Sequence, residues 1–329
     1  MPDLLEQLEK ALETRALFLE SGTPAAFRIF NGFLEGNPAF CIDLYGKTAL
    51  IQNYSREDKA EEIELMRNWL LKRLPGIKTI LLKERSGQIS GQKRGVIIYG
   101  KELDYRLLEN GTWYALDLVL NRDASFYLDT RNLRTWAKTH LTDKTVLNTF
   151  AYTGSLGVAA LAGAASRVVQ LDKNKAFLNL AKRSYALNNF PVRNQDFMIR
   201  DFFPAVSQLK RSGETFDCVF LDPPFFSSTS RGRVDLETGS SRLINKVRPL
   251  VKHGGWLIAI NNALFISGRE YLDSLEMSCS DGYMEIEELI PIPLDITGSP
   301  ESRAAEPPTD PAPFNHSTKI AVLRVKRKV

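Results

Sequence analysis

The sequence has few of the residues that build metal centres or disulfide frameworks. It contains three cysteines and three histidines in 329 residues, and none of them recurs at the short spacings typical of zinc ligands. Three scattered cysteines cannot form a disulfide framework either. We therefore expect a cytoplasmic protein with free thiols and no bound metal.

Long apolar runs and a strong excess of one charge are also missing. No stretch approaches the roughly 18 apolar residues of a membrane-spanning helix, and the N-terminal residues do not predict a signal peptide. Lys and Arg number 43 against 39 Asp and Glu, a net charge of +4, which excludes a highly basic nucleic-acid-packaging protein. The hydrophobic content of 43% and the charged content of 25% are ordinary for a globular chain, and the length suggests two domains.

The pattern of strands and helices changes near residue 124. Residues 1–124 predict an opening helix and a small α+β domain, with apolar runs such as FRIFN and KTALIQ between Gly-containing turns. Residues 125–329 predict strands separated by single helices, the pattern of a parallel, doubly wound α/β sheet. The last two predicted strands, MEIEELIPIP and TKIAVLRVKRK, are joined by the Pro-rich residues 294–317 without a helix. We expect this final pair to be antiparallel.

Two basic clusters could bind phosphate. One surrounds a Gly-containing loop at Lys83, Arg85, Lys93 and Arg94, and the other occupies residues 319–328. A solubilising surface is the competing interpretation.

Chemistry-bearing residues follow the carboxyl ends of successive predicted strands, where doubly wound sheets bind ligands. The first strand ends in residues 148–157, a stretch rich in small residues whose following helix presents a positive N-terminus. Asp172 ends the second strand, where a carboxylate can accept both ribose hydroxyls of an adenosine ligand. Asp201 follows the third strand and could accept a hydrogen bond from an adenine amine, with Phe202 against the ring. Each aspartate could instead cap the next helix.

The fourth predicted strand ends in Asp222-Pro223-Pro224-Phe225. The two prolines remove backbone donors and fix the chain, which leaves a carboxylate and an aromatic ring at the active edge of the sheet. Phe225 could alternatively be a packed loop aromatic. The dinucleotide fingerprint G-x-G-x-x-G is absent, so adenosine with a short amino-acid tail is a better candidate ligand than NAD.

Together these segments resemble class I S-adenosylmethionine-dependent methyltransferases. The resemblance rests on NTFAYTGSLGVAAL, VVQLDKN and FDCVFLDPPFFSS, and on ASFYLDTRNLR, which is similar to the family's F-x-L-D-x-R-x-x-R segment. More narrowly, the segments resemble the bacterial large-subunit rRNA base methyltransferases. This implies a Rossmann-like methyltransferase sheet, RNA as the partner and S-adenosyl-L-methionine as the cofactor.

The resemblance also assigns roles to individual residues. Residues expected at the cofactor are Arg131, Asn148, Phe150, Tyr152, Thr153, Gly154, Ser155, Asp172, Lys173, Asp201, Phe202 and Asp222. Residues expected in catalysis are Asp222, Pro223 and Phe225, and those expected at the base are Phe225, Asn261 and Asn262. Arg131 and Arg134 could approach the cofactor carboxylate or an RNA phosphate, or lie on a solvated helix face.

Two chemistries compete for the base. The cytosine-C5 enzymes attack through a cysteine just after the fifth strand, but this sequence has Ile260-Asn261-Asn262-Ala263 there. The Asn pair resembles the guanine-N7 branch, in which N7 attacks the methyl group directly. An exocyclic amine is an alternative acceptor, because D-P-P-F resembles the N-P-P-Y loop of amino-methyltransferases. A small-molecule or protein methyltransferase of the same fold also stays open.

Overall fold

The chain divides into two compact units in a computed structural model. The structure describes residues 3–20, 26–86, 90–229, 232–304, 314 and 316–327. One unit comprises Met1–Leu128 with Pro293–Glu306, and the other comprises Asp129–Ile292 with Pro307–Val329. The sequence puts one boundary near residue 124 and everything after it in a single domain. The structure instead returns the segment Pro293–Glu306 to the first unit.

The first unit is an α+β unit built on a five-stranded sheet. Up to residue 128 its elements are α1 (Leu4–Glu13), α2 (Ala16–Glu20), β1 (Ala26–Asn31), α3 (Gly32–Glu35), β2 (Phe40–Tyr45), β3 (Thr48–Asn53), α4 (Ala60–Arg73), β4 (Thr79–Glu84), α5 (Ser90–Arg94), β5 (Val96–Tyr99), β6 (Arg106–Glu109) and β7 (Thr112–Ala115). The sheet order is β1-β2-β3-β4-β5, with β3 and β4 parallel and the other neighbours antiparallel. Strands β6 and β7 form a separate antiparallel hairpin.

The apolar residues of α1 and α4 recur at helical spacing and form part of the core of this unit. Leu4, Leu8 and Leu12 share one face of α1, and they are buried with Met66 and Leu70 of α4 in a cluster that includes the apolar side chains of β1 to β4. Helix α4 ends before Pro75-Gly76, as the sequence predicts.

One cation of the first basic cluster is structural rather than a phosphate ligand. The Lys83 side chain is buried, and its ammonium group donates to the carbonyl oxygens of Asn121 at 3.0 Å and Asp123 at 2.9 Å. Burial lowers the pKa of Lys83 to about 8. The prediction that Lys83 binds phosphate at the surface is therefore wrong, because its three donors serve this loop instead.

A buried ion pair fastens the returning segment to the first unit. The Arg15 guanidinium donates to Glu35 Oε1 at 2.8 Å and Oε2 at 3.2 Å, and both side chains are almost fully buried. Arg15 also donates to the carbonyl oxygen of Asp295 at 3.0 Å, and the Ser302 hydroxyl donates to Glu35 at 2.5 Å. The Asp295 carboxylate accepts the Arg28 backbone N–H at 2.9 Å. Charged groups this deep are tolerated only when fully paired.

We predict that Glu35→Gln destabilises the first unit strongly, because it leaves the Arg15 charge buried without a counter-ion. The expected loss in free energy of unfolding is about 3–5 kcal/mol, measured by urea denaturation followed by circular dichroism. The matched control is Glu64→Gln, which breaks a surface pair with Arg67 and should cost less than about 1 kcal/mol. Equal losses for the two variants would contradict this prediction.

The second unit contains a seven-stranded, mostly parallel sheet with helices between its strands. Its elements are α6 (Arg131–His140), β8 (Thr145–Thr149), α7 (Ser155–Ala162), β9 (Arg167–Asp172), α8 (Lys175–Leu187), β10 (Phe197–Ile199), α9 (Phe202–Arg211), β11 (Phe216–Leu221), β12 (Phe226–Thr229), β13 (Gly232–Asp235), α10 (Leu236–Val247), β14 (Val251–Asn261), α11 (Gly268–Cys279), β15 (Met284–Ile290) and β16 (Lys319–Val325); α12 (Leu294–Thr297) belongs to the first unit. The sheet order is β10-β9-β8-β11-β14-β16-β15.

The predicted doubly wound sheet with an antiparallel C-terminal strand pair is confirmed. Strands β8 to β11 and β14 are mutually parallel, while β16 is antiparallel to both β14 and β15. The order reverses between β8 and β11, which is where ligands bind in such sheets. The hairpin formed by β12 and β13 directly after Phe225 was not predicted. Within the described residues, no helix is long and apolar enough to cross a membrane.

Candidate active site

A strained loop follows β8 at the centre of the second sheet. Phe150 (φ 52°) and Tyr152 (φ 51°) both adopt the left-handed conformation, which costs about 1–3 kcal/mol for each non-glycine residue. The Phe150 ring stacks on Phe202 at 4.6 Å between centroids, and the Tyr152 ring packs edge-on against Phe177 at 4.5 Å. These contacts hold the loop in a shape that its residues would not adopt alone.

Packing requires two glycines here, Gly154 at the end of this loop and Gly157 in the first turn of α7. Gly154 has φ 77°, and a Cβ atom there would lie 2.7 Å from Cβ of Ala181. A Cβ atom on Gly157 would lie 2.2 Å from Nε2 of Gln170. The sequence suggests that these small residues let a ligand approach the backbone. In the structure they allow α7 to pack against β9 and α8.

The buried Gln170 side chain links the first strand to this loop. Its amide accepts from Asn148 Nδ2 at 2.8 Å and donates to the Gly154 carbonyl oxygen at 3.2 Å. The Oδ1 atom of Asn148 is buried without a hydrogen-bond partner in the described part of the chain. Thr153 is also buried, whereas Ser155, at the start of α7, is half-buried.

Asp172 ends β9 and is anchored by backbone donors. Its Oδ2 accepts the Tyr152 N–H at 2.9 Å and its Oδ1 accepts the Asn174 N–H at 2.8 Å. Burial raises the pKa of Asp172, and these backbone bonds and the exposed Lys173 oppose the shift. Asn174, not Asp172, caps α8 by accepting from the Ala176 N–H. The capping alternative for Asp172 is thus wrong.

Asp201 does cap its helix. Its Oδ1 accepts the Phe203 N–H at 3.1 Å at the start of α9. A carboxylate has about four acceptor positions, so capping leaves acceptor capacity for a ligand. Phe202 is buried against Phe150, at the same edge of the sheet.

Asp222 follows β11 and shares its surroundings with a second carboxylate. Burial, together with the negative charge of Asp129, raises the pKa of Asp222 to about 7. Asp129 is held in place by the Thr318 hydroxyl, which donates to Asp129 Oδ2 at 2.6 Å. The sequence gives Asp129 no role of its own, although it lies within the segment ASFYLDTRNLR that carries part of the family resemblance.

The residues after β11 and β14 divide into buried and exposed ones. Pro223 is buried, whereas Phe225 is 40% exposed. Asn261 is fully buried, and its Oδ1 accepts the Ala263 N–H at 2.8 Å, so it shapes the chain after β14. Asn262 is exposed. Asn262 thus presents an exposed amide, whereas the buried Nδ2 of Asn261 has no hydrogen-bond partner in the described part of the chain.

The two arginines of α6 do not lie on a solvated face. Arg131 and Arg134 are both buried, and the Arg134 guanidinium donates to the Thr130 hydroxyl at 2.8 Å. The solvated alternative is wrong because α6 turns these long side chains inward.

None of the three thiols is placed or activated as a nucleophile at this edge. Cys218 is buried within β11 and Cys41 within β2, and burial raises the pKa of both, to about 11 for Cys41. Burial also raises the pKa of Cys279, at the end of α11. Thiolates, not thiols, are nucleophiles.

A sheet whose own seven strands, counted along the chain, run in the order 3-2-1-4-5-7-6, with acidic residues at the ends of three of the first four, defines a class I methyltransferase fold. A family model described as S-adenosylmethionine-dependent methyltransferase matches residues 95–287. The chain belongs to this family.

The curated relatives share moderate identity with the chain. It is 30% identical over 228 residues to the ribosomal RNA large subunit methyltransferase I of Alteromonas mediterranea, covering 68% of this chain and 56% of that protein. It is 28% identical over 269 residues to the ribosomal RNA large subunit methyltransferase K/L of Pseudoalteromonas atlantica, covering 79% of this chain and 38% of that protein. The chain thus spans about half the length of these relatives.

The fold itself matches solved structures over nearly the whole chain. A proposed S-adenosylmethionine-dependent methyltransferase from Streptococcus mutans superposes with a TM-score of 0.81 at 20% identity, covering 99% of this chain and 82% of that chain. At this identity the similarity describes the fold alone.

The residues present fit the cofactor. Each carboxylate oxygen of Asp172 accepts one backbone N–H, which leaves lone pairs for ribose hydroxyls. The buried, unpartnered Oδ1 of Asn148 and the N-terminus of α7 lie on either side of the strained loop in sequence. When bound, S-adenosylmethionine supplies an electrophilic methyl group.

We predict that Asp129→Asn lowers the pKa of Asp222 from about 7, because the substitution removes the like charge. Burial should still keep this pKa above its ordinary value. The measurement is a carboxyl ¹³C chemical-shift titration of protein labelled at aspartate, with Asp222→Asn identifying the resonance. An unchanged midpoint in Asp129→Asn would show that the two carboxylates do not interact.

Proposed function

We propose that the chain methylates a base of RNA, a guanine N7 in large-subunit ribosomal RNA, by direct non-covalent attack. The observation that carries this proposal is the grouping of Asp222, Phe225 and Asn262 at neighbouring strand ends, with no activated thiol beside them. Both curated relatives described above are named as ribosomal RNA large subunit methyltransferases, which supports RNA as the substrate class.

For direct attack, the protein mainly has to align the base with the methyl group. Guanine N7 carries an in-plane lone pair at neutral pH and needs no base to remove a proton. Holding the base against the methyl group can contribute roughly 7–11 kcal/mol to lowering the barrier. In this proposal Asp172 and Asp201 hold the adenosine of the cofactor, Phe225 stacks on the base and Asn262 hydrogen-bonds its edge.

One observation favours an exocyclic amine as a second candidate acceptor. The Asp222 carboxyl group titrates near neutrality because of burial and the Asp129 charge, and a group of this pKa can accept a proton at pH 7. An attacking amine must lose a proton, whereas guanine N7 has none to lose. Methylation of an exocyclic amine would therefore use Asp222 as the group that accepts the proton, whereas methylation of guanine N7 would not.

The test is methylation of unmodified large-subunit ribosomal RNA, followed by mass-spectrometric mapping of the modified nucleoside. We expect 7-methylguanosine from the wild-type protein and its loss in Asp172→Ala, together with weaker cofactor binding by calorimetry. N-methylated exocyclic product would select the second candidate. Label only in protein or in small molecules would refute an RNA substrate, and 5-methylcytidine would refute direct non-covalent attack.

We further propose that the first unit, with residues 1–124 as its main part, recognises the RNA. In the β6–β7 hairpin, Leu107 and Tyr114 are buried on one face, and Arg106 and Trp113 lie on the other. The Arg106 guanidinium lies 4.5 Å from the Trp113 ring centroid and 5.4 Å from that of Tyr105, which is 58% exposed. A cation close to two aromatic rings, one of them exposed, suits both base stacking and phosphate contact.

We predict that Arg106→Ala weakens RNA binding by about tenfold, the equivalent of roughly 1.4 kcal/mol, and lowers the salt dependence by about one phosphate contact. Filter binding of ribosomal RNA at several salt concentrations measures both quantities. The control Lys72→Ala removes an equal charge from an exposed position on α4 and should have little effect. Equal losses in the two variants would indicate only general charge attraction.

A further inference from the structure

Two adjacent apolar side chains project from the segment after β14. This segment, residues 262–267, connects β14 to α11. Leu264 is 50% exposed and Phe265 is 79% exposed. A single exposed apolar residue needs no explanation, so the argument depends on how this pair is held and where it lies.

The segment is fixed at its first end. Ala263 is buried; its N–H donates to Asn261 Oδ1 at 2.8 Å, and its carbonyl oxygen accepts from Lys319 Nζ at 3.0 Å. Lys319 is itself buried and donates to the Ser317 carbonyl oxygen at 2.7 Å. This lysine belongs to the second basic cluster of the sequence, and its position excludes it from binding RNA phosphate at the surface.

The segment is also fixed at its second end. Ser267 and Glu270 form a reciprocal capping box at the start of α11, with bonds of 2.8 and 3.1 Å. A Cβ atom on Gly268 would lie 2.8 Å from Cβ of Phe314, so this turn is tightly packed. Leu264 and Phe265 therefore extend into solvent from a short loop that is anchored on both sides.

The position of this pair is at the active edge of the sheet. Strands β11 and β14 are parallel neighbours, with Leu221 in register with Ala259. The Asp222–Phe225 turn and the segment 262–267 consequently leave the sheet side by side. The exposed Asn262 comes immediately before the apolar pair.

We propose that Phe265, supported by Leu264, is a wedge that enters the RNA base stack and fills the space left when the target base is drawn into the site. This inference rests on the proposed function, because a base inside a helix must leave the stack to reach the methyl group. Apolar side chains inserted between bases are the usual means of stabilising such an opening. Phe225 remains the residue against the target base, and Phe265 contacts its former neighbours.

The experiment compares Phe265→Ala, Phe265→Trp and the wild type on two RNA probes. One probe is unmodified large-subunit ribosomal RNA, and the other is a fragment of it with the target base unpaired in a flexible loop. We expect Phe265→Ala to lose about tenfold or more in kcat/KM on the structured RNA, but less than threefold on the unpaired fragment. Phe265→Trp keeps an aromatic side chain and should retain activity on the structured RNA. Cofactor affinity, measured by calorimetry, should be the same in both variants as in the wild type.

The matched control is Met277→Ala, a similarly exposed apolar residue on α11 (76%), which should behave as the wild type on both probes. Equal losses for Phe265→Ala on the two probes, or no loss on the structured RNA, would overturn the wedge. Failure of the wild-type protein to methylate either RNA would overturn the proposed function, and the wedge with it. A weakened cofactor affinity in Phe265→Ala would show instead that the residue only supports the site.

Discussion

The candidate site of the second unit depends on one buried amide. Gln170 accepts a hydrogen bond from Asn148 on the neighbouring strand, donates to the Gly154 carbonyl oxygen and contacts the hydroxyl of Tyr185 on α8. Gly154 and Gly157 pack against the same side chain. The amide therefore sets the distance between β8, β9 and α7. These packed contacts hold Phe150 and Tyr152 in their strained backbone conformations.

A second constraint is the interaction of two carboxylates, Asp222 and Asp129, at the same edge of the sheet. Asp222 follows β11 and Asp129 precedes α6, and burial, together with the negative charge of Asp129, raises the pKa of Asp222 to about 7. A cationic ligand would relieve this repulsion, and S-adenosylmethionine carries positive charge on its sulfonium and its amine.

Much of this architecture follows from the sequence because its signals are local. The apolar runs of β8, β9 and β11, and the helices between them, predicted the parallel sheet and its active edge. Asp129 and Gln170 escaped attention because their roles depend on neighbours distant in sequence. The burial of Arg131, Arg134, Lys83 and Lys319 could not be predicted for the same reason: a charged residue on a helix or strand gives no local sign that the tertiary structure will bury it. Phe265 has no periodic pattern around it, so only its exposure and its anchored loop identify it.

The return of residues 293–306 to the first unit has a consequence for how the protein is organised along its chain. The two units interleave along the chain, because residues 129–292 of the second unit separate the two parts of the first, and residues 307–329 return to the second. The Arg15–Glu35 ion pair gains its remaining hydrogen bonds from residues 293–306, because Arg15 donates to the Asp295 carbonyl oxygen and Glu35 accepts from the Ser302 hydroxyl. Residues 129–292 must therefore be synthesised before this network can be completed, so the first unit finishes folding late.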